Sequence, residues 1–204
     1  MVDEAVLDEI RRCNRLPREH AGFFNWHEKE IKEAGVTDIF LDPRNHEGQH
    51  SFETFNVNPN DPPDIWLFDG NGDKTGLEIT ELVNSQAIDA QIHGLSNYWS
   101  ECERWANKEY FEEKINEQVS QKSDKCRDLV SEALNFELLF HCDELWVEKC
   151  CDAFLSEGVN MNPHVFGRVW LLLSYSPHLK RCKLIKLGET YNDGFKQTPK
   201  SGAA

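Results

Sequence analysis

The stretch Pro62–Val83, PPDIWLFDGNGDKTGLEITELV, carries the clearest structural signal in this chain. Its two apolar segments, Ile65–Phe68 and Leu77–Val83, flank a turn over Asp69–Gly76. The pair Asn71-Gly72 in that turn is a strong hairpin signal, because both residue types tolerate the positive φ angles of tight hairpin turns. The stretch therefore predicts two antiparallel strands joined by a short connection.

Two acidic residues of this predicted hairpin adjoin the apolar residues of its strands and are candidate metal ligands. Asp64 opens the first strand directly after two prolines, and Glu78 lies inside the second strand next to Ile79. An ionised carboxylate among apolar strand residues is costly to bury unless it is paired or bound to a cation. The start of one antiparallel strand lies opposite the end of its partner, so we expect the far end of the second strand to approach Asp64. Two carboxylates and a backbone carbonyl, for example that of Ile79, would form a hard oxygen site suited to Mg²⁺.

The pattern Pro63-Asp64, followed fourteen positions later by Glu78-Ile79-Thr80, resembles the PD-(D/E)XK nuclease superfamily. The resemblance implies a restriction-endonuclease-like fold in which Asp64 and Glu78 bind Mg²⁺ or Mn²⁺. It also implies that the protein hydrolyses nucleic-acid phosphodiesters, with DNA as the expected substrate. In that family a lysine two positions after the glutamate helps to activate water. Thr80 stands at that position here, and its hydroxyl is a poor base near neutral pH that can only orient water.

Two lysines on a later predicted helix are candidates to replace the missing one. Four residues at helical spacing form one stripe along the helix, namely Ile115, Val119, Lys122 and Cys126. Lys125 directly precedes Cys126. Either Lys122 or Lys125 could reach inward to contact water or phosphate. The alternative is that both are ordinary solvated lysines, since lysine is seldom buried.

Relatives in the superfamily often carry a further metal-proximal glutamate on a helix before the hairpin. The resemblance points to Glu30, with Glu28 and Glu33 as close rivals, while a solvated acid is the alternative. We predict this helix over Arg18–Ala34, with Gly35 as its C-cap.

The remaining elements follow from periodicity. We predict short strands at Val36–Leu41 and Ser51–Val57, a helix at Lys108–Leu134, and strands at Phe136–Cys142, Val165–Tyr175 and Cys182–Leu187. This order indicates an α/β protein with a mixed central β-sheet flanked by helices. Residues 1–195 are predicted to form a single domain, and residues 196–204 a flexible tail.

The acidic turn offers a second interpretation. Asp69, Asn71, Asp73 and Thr75 alternate as the ligands of a calcium-binding EF-hand loop do. However, Lys74 stands where that loop requires glycine, and Thr80 where it requires glutamate. The flanking segments also read as strands, so a hairpin turn explains the same residues.

Charge is the main argument against a nuclease. The 204-residue chain has 36 acidic and 22 basic residues, with a net charge of -14, whereas proteins that grip DNA usually present a basic surface. A local basic face would still be compatible with that total. The alternative is a catalytically inactive member of the fold that acts as an acidic interaction module or a DNA mimic.

The chain shows neither an apolar run of membrane-spanning length nor the basic-then-apolar order of a secretory signal. Seven scattered cysteines, an odd number, fit reduced thiols better than a disulfide framework. We therefore expect a cytoplasmic protein that does not contact membranes. A homodimer or a protein partner is compatible with the sequence.

Overall fold

A computed structural model describes residues 29–42, 52–84, 107–130, 135–142, 158–176 and 181–190, with the single residues 86, 89, 93, 94, 104, 147, 155 and 157. The predicted tail 196–204 and the first part of the predicted helix Arg18–Ala34 lie outside these residues. In the described part of the chain, no helix is both long enough and apolar enough to cross a membrane.

The described residues form an α/β structure with a six-stranded mixed sheet flanked by two helices. In chain order the elements are α1 (Lys29–Leu41), β1 (Phe52–Val57), β2 (Ile65–Asp69), β3 (Lys74–Glu81), α2 (Lys108–Val130), β4 (Asn135–Cys142), β5 (Arg168–Ser176) and β6 (Arg181–Glu189). The spatial order of the strands is the same as their chain order. The β3–β4 and β4–β5 pairs are parallel, and the β1–β2, β2–β3 and β5–β6 pairs are antiparallel. The predicted mixed sheet with flanking helices is confirmed.

Among the described elements, α1 packs on one face of the sheet and α2 on the other. On the α1 face, Val36 and Phe40 pack with side chains that include Leu77, Leu139 and Trp170. On the α2 face, buried residues of the helix pack against alternate residues of the same strands: Phe111, Ile115, Val119 and Cys126 against Phe136, Leu138, Phe140 and Leu171. Because β4 and β5 are buried on both faces, they read as continuous apolar runs rather than as alternating ones.

The predicted strand at Val36–Leu41 is wrong, because α1 continues through Gly35 to Leu41. A helix-interior glycine costs about 1 kcal/mol relative to alanine. Burial of Val36 and Phe40, four positions apart on one side of the helix, offsets this cost. Phe40 also packs edge-on against Trp170, with ring centroids 5.9 Å apart.

The hairpin β2–β3 has the predicted turn but longer strands. Its connection is closed by the side chain of Asp69, whose Oδ1 accepts hydrogen bonds from the backbone N–H groups of Asn71 and Asp73 at 2.9 Å each. Gly72 adopts a φ of 83°, as a tight turn requires. The short connection lets β3 begin at Lys74, and this determines which residues of the two strands face each other.

Candidate functional site

The register of the hairpin places the two predicted acids side by side. Ile65 pairs with Leu77, so extending the register by one residue puts Asp64 opposite Glu78. We expected the far end of β3 to approach Asp64, but Glu78 itself lies opposite it, because the connection between the strands is shorter than predicted. Asp64 is 3 % exposed and Glu78 is 0 % exposed.

The backbone next to these acids is open on one side. Because β2 begins at Ile65, no described strand pairs with β3 beyond Leu77 on that edge. The N–H of Ile79 instead donates to Asp64 Oδ2 at 2.8 Å. The N–H and C=O of one strand residue point to the same edge, so the carbonyl of Ile79 also lies at the site.

A third acid, Asp61, completes a cluster. One carboxylate oxygen from each of Asp61, Asp64 and Glu78 lies within 4.8 Å of the other two. The loop that carries Asp61 is held by Asn58, whose side-chain amide donates to the carbonyls of Asn60 at 2.6 Å and Pro63 at 2.7 Å. The backbone N–H of Asn58 donates to the carbonyl of Asp64 at 2.9 Å.

Lys122 of α2 reaches this cluster from the α2 face. Its Nζ lies 2.7 Å from Glu78 Oε1 and 3.3 Å from the carbonyl oxygen of Ile79. Burial, and next the charge of Asp64, raise the pKa of Glu78 above its ordinary value, although Lys122 acts in the opposite direction. The other oxygen, Glu78 Oε2, is buried and accepts no hydrogen bond from the residues that the structure describes. A buried carboxylate oxygen in that state is a position where a cation would be strongly stabilised.

Lys29, the first residue of α1, contacts the same cluster. Its Nζ lies 3.1 Å from Asp64 Oδ1, 3.1 Å from Asp61 Oδ2 and 3.2 Å from Glu33 Oε1. Burial, then repulsion from Asp64, raises the pKa of Glu33 to about 7. Burial would raise the pKa of Asp61, but its hydrogen bond from Lys29, together with the charges of Lys29, Lys125 and Lys122, outweighs this and lowers the pKa below the ordinary value.

The other predicted site residues differ in how they lie relative to the acidic cluster. Thr80 is half-buried on β3, two positions after Glu78 and therefore on the same side of the strand. Lys125 is exposed, and the ion pair with Glu78 is made by Lys122. Glu30 is exposed on α1, whereas its rival Glu33 is buried beside Asp64, four positions after Lys29 on the same side of the helix. The rival Glu28 lies outside the described residues.

Cys126, one turn after Lys122 on α2, is a free buried thiol beneath the site. Burial, and next the charge of Glu78, raise the pKa of Cys126 to about 12. Since the thiolate is the reactive form, this cysteine is chemically inert at neutral pH and serves as core.

Sequence reasoning missed Lys29 and Asp61. Asp61 lies three positions before Asp64, in a stretch rich in asparagine and proline that reads simply as a loop. Lys29 is one member of a charged run, and its four-residue spacing from Glu33 was the only signal that could have linked it to the site.

A scan against protein-family models, a search of curated proteins and a search of solved structures each find no match to this chain. The interpretation of the site therefore rests on its own residues and geometry.

Proposed function

We propose that this protein is a divalent-metal-dependent hydrolase of nucleic-acid phosphodiesters, with DNA as the expected substrate, and that its fold is a restriction-endonuclease-like form of the α/β sheet. The observation that carries the proposal is the convergence of Asp61, Asp64 and Glu78 within 4.8 Å, with Lys122 Nζ 2.7 Å from Glu78. This set supports the resemblance to the PD-(D/E)XK nucleases, with a lysine from α2 in place of the missing motif lysine.

The donor set fits Mg²⁺ or Mn²⁺. Carboxylates of Asp61, Asp64 and Glu78 and the carbonyl of Ile79 are hard oxygen ligands, and Glu78 Oε2 is buried without a hydrogen-bond partner. Such a cation, when bound, lowers the pKa of a coordinated water and offsets the negative charge that develops on a phosphodiester.

Lys122 is placed to contact the reacting groups. A lysine ammonium has three N–H donors, and Glu78 and the Ile79 carbonyl account for two of them. The third donor is left for a water or a phosphate oxygen. Thr80 lies on the same side of β3 and offers a hydroxyl that can orient water but cannot act as the base.

The test is cleavage of plasmid DNA, single-stranded DNA and RNA with Mg²⁺ or Mn²⁺, comparing the parent with Asp64→Asn and Glu78→Gln. Loss of a neighbouring supporting group often costs 10–100-fold, so loss of a ligand should reduce cleavage by at least about 100-fold. Asp73→Asn, which changes an exposed acid in the hairpin turn, is the matched control and should cleave normally. Circular dichroism checks folding. Absence of cleavage by the parent on every substrate, or full cleavage by both site variants, would refute the proposal.

The net charge of -14 favours one second candidate, a catalytically inactive protein that acts as an acidic interaction module or DNA mimic. This candidate predicts no cleavage by the parent and unchanged partner binding by Asp64→Asn and Glu78→Gln. Capture of a DNA-binding protein that competes with DNA for the same surface would support it.

A further inference from the structure

The two lysines of the site differ in how firmly they are held. Lys122 is 20 % exposed and bonds to a fully buried carboxylate and a backbone carbonyl. Lys29 is 63 % exposed, and its three contacts within the described part of the chain are all with side chains. The Lys29 ammonium is open to solvent, which can hydrate it on release, whereas its partner Asp64 is 3 % exposed and needs a cation in its place. Lys29 is therefore the cation of this cluster that an incoming divalent ion can replace.

Lys29 and a divalent cation would use the same oxygens. Two of the three carboxylates that contact Lys29, those of Asp61 and Asp64, belong to the cluster that fits a metal. An Mg²⁺ ion needs its ligand oxygens at about 2.0–2.1 Å in near-octahedral geometry, which leaves no room for an ammonium on the same face. Two cations a few ångströms apart also repel each other strongly at the dielectric of a protein surface.

We propose that Lys29 is a built-in counter-cation of this site, and that a divalent cation displaces its ammonium from Asp61 and Asp64. The inference rests on the proposed metal site and adds an exchange to it. Before loading, Lys29 keeps the clustered carboxylates from repelling one another. After loading, the ammonium is released into solvent at the edge of the site, where a polyanionic substrate would meet it.

Helix α1 supplies a matched control. Lys32 is three positions from Lys29 and is also ion-paired, but its Nζ contacts Glu81 at 2.9 Å, outside the cluster. The variants Lys29→Met and Lys32→Met therefore remove the same charge from the same helix. Only the first removes it from the carboxylates that would bind metal.

The primary experiment is isothermal titration of Mg²⁺ and Mn²⁺ into the parent and both variants. Lys29→Met should bind about tenfold more tightly than the parent, which corresponds to about 1.4 kcal/mol, because the ion no longer displaces an ammonium. Lys32→Met should bind like the parent. Equal or weaker binding by Lys29→Met would overturn the inference.

A second measurement needs no substitution. The rate of reductive methylation of each lysine is followed by mass spectrometry, with and without saturating Mg²⁺. The rate at Lys29 should rise several-fold on loading, while the rate at Lys32 stays constant. Metal binding with no change at Lys29 overturns the exchange and leaves the metal site standing. No metal binding by any of the three proteins overturns both.

Discussion

Removal of the Lys122 ammonium tests how much that group stabilises the folded protein by pairing with the buried Glu78. The substitution Lys122→Met keeps most of the side-chain volume of lysine but deletes its charge. Glu78 is then left fully buried with neither oxygen neutralised by that ammonium, since Oε2 already lacks a partner. We expect a large loss of stability in the absence of divalent cations.

The magnitude follows from the geometry. Removing one partner of a buried ion pair costs about 3–5 kcal/mol, because an uncompensated charge stays in the interior. Lys122 is 20 % exposed, so the pair is partly solvated and the expected loss is about 2–4 kcal/mol at pH 7.5. The double variant Lys122→Met/Glu78→Gln should recover much of that loss, since it carries no buried charge at this position.

The sign of the pH dependence is also determined. Burial raises the pKa of Glu78 in the folded protein, and Lys122 opposes that rise, so Lys122→Met should raise the pKa further. A raised carboxyl pKa means that the folded state binds more protons than the unfolded state above the ordinary value of about 4.3. The stability deficit of Lys122→Met should therefore shrink as the pH falls towards 4.5 and grow as it rises.

Urea unfolding in EDTA, followed by tryptophan fluorescence between pH 4.5 and 8.5, measures both effects. Lys125→Met is the matched control, because it removes the same charge from an exposed position one turn away and should change the free energy of unfolding by less than about 0.5 kcal/mol. If Lys122→Met were as stable as Lys125→Met at pH 7.5, the assignment of Lys122 as the partner of a buried Glu78 would be refuted.

Three further predictions concern Glu33, Gly76 and the pair formed by Trp170 and Glu137. Glu33→Gln should stabilise the cation-free protein by up to about 3 kcal/mol above pH 7 but little near pH 5, because burial raises the pKa of Glu33 to about 7. Urea unfolding as a function of pH measures this difference in stability, and a difference that did not depend on pH would contradict the prediction. Gly76→Ala should lower the free energy of unfolding by about 1–3 kcal/mol, because its Cβ would lie 2.7 Å from the buried ring of Phe136. Thermal unfolding measures this, and an unchanged melting temperature would contradict the close contact. Trp170→Phe should lower the free energy of unfolding in urea by at least about 1.5–3 kcal/mol, because it deletes the 2.6 Å hydrogen bond from the indole to the buried Glu137 carboxylate. The same substitution should cost less in a protein that also carries Glu137→Gln.

The sequence predicted the sheet better than it predicted the helix before it. Strands β2, β4 and β5 have strong local signals, namely apolar runs bounded by turn residues. The segment after Gly35 was misread as a strand because glycine commonly ends helices. Burial of Phe40 against the sheet decides the outcome, and that contact joins residues far apart in the chain.

The site divides in the same way. The sequence by itself offered Asp64 and Glu78 as candidate metal ligands, since an acid inside an apolar strand is conspicuous without any knowledge of its neighbours. It also offered Lys122 and Lys125 as lysines that could approach them, with two solvated lysines as the alternative. Only the tertiary structure placed Lys122 rather than Lys125 against Glu78, and only it brought Lys29 and Asp61 to the cluster. The physical reason is that strand pairing and turn chemistry are local. The docking of each helix depends instead on which face it buries, and this brings together residues that are 32 to 44 positions apart.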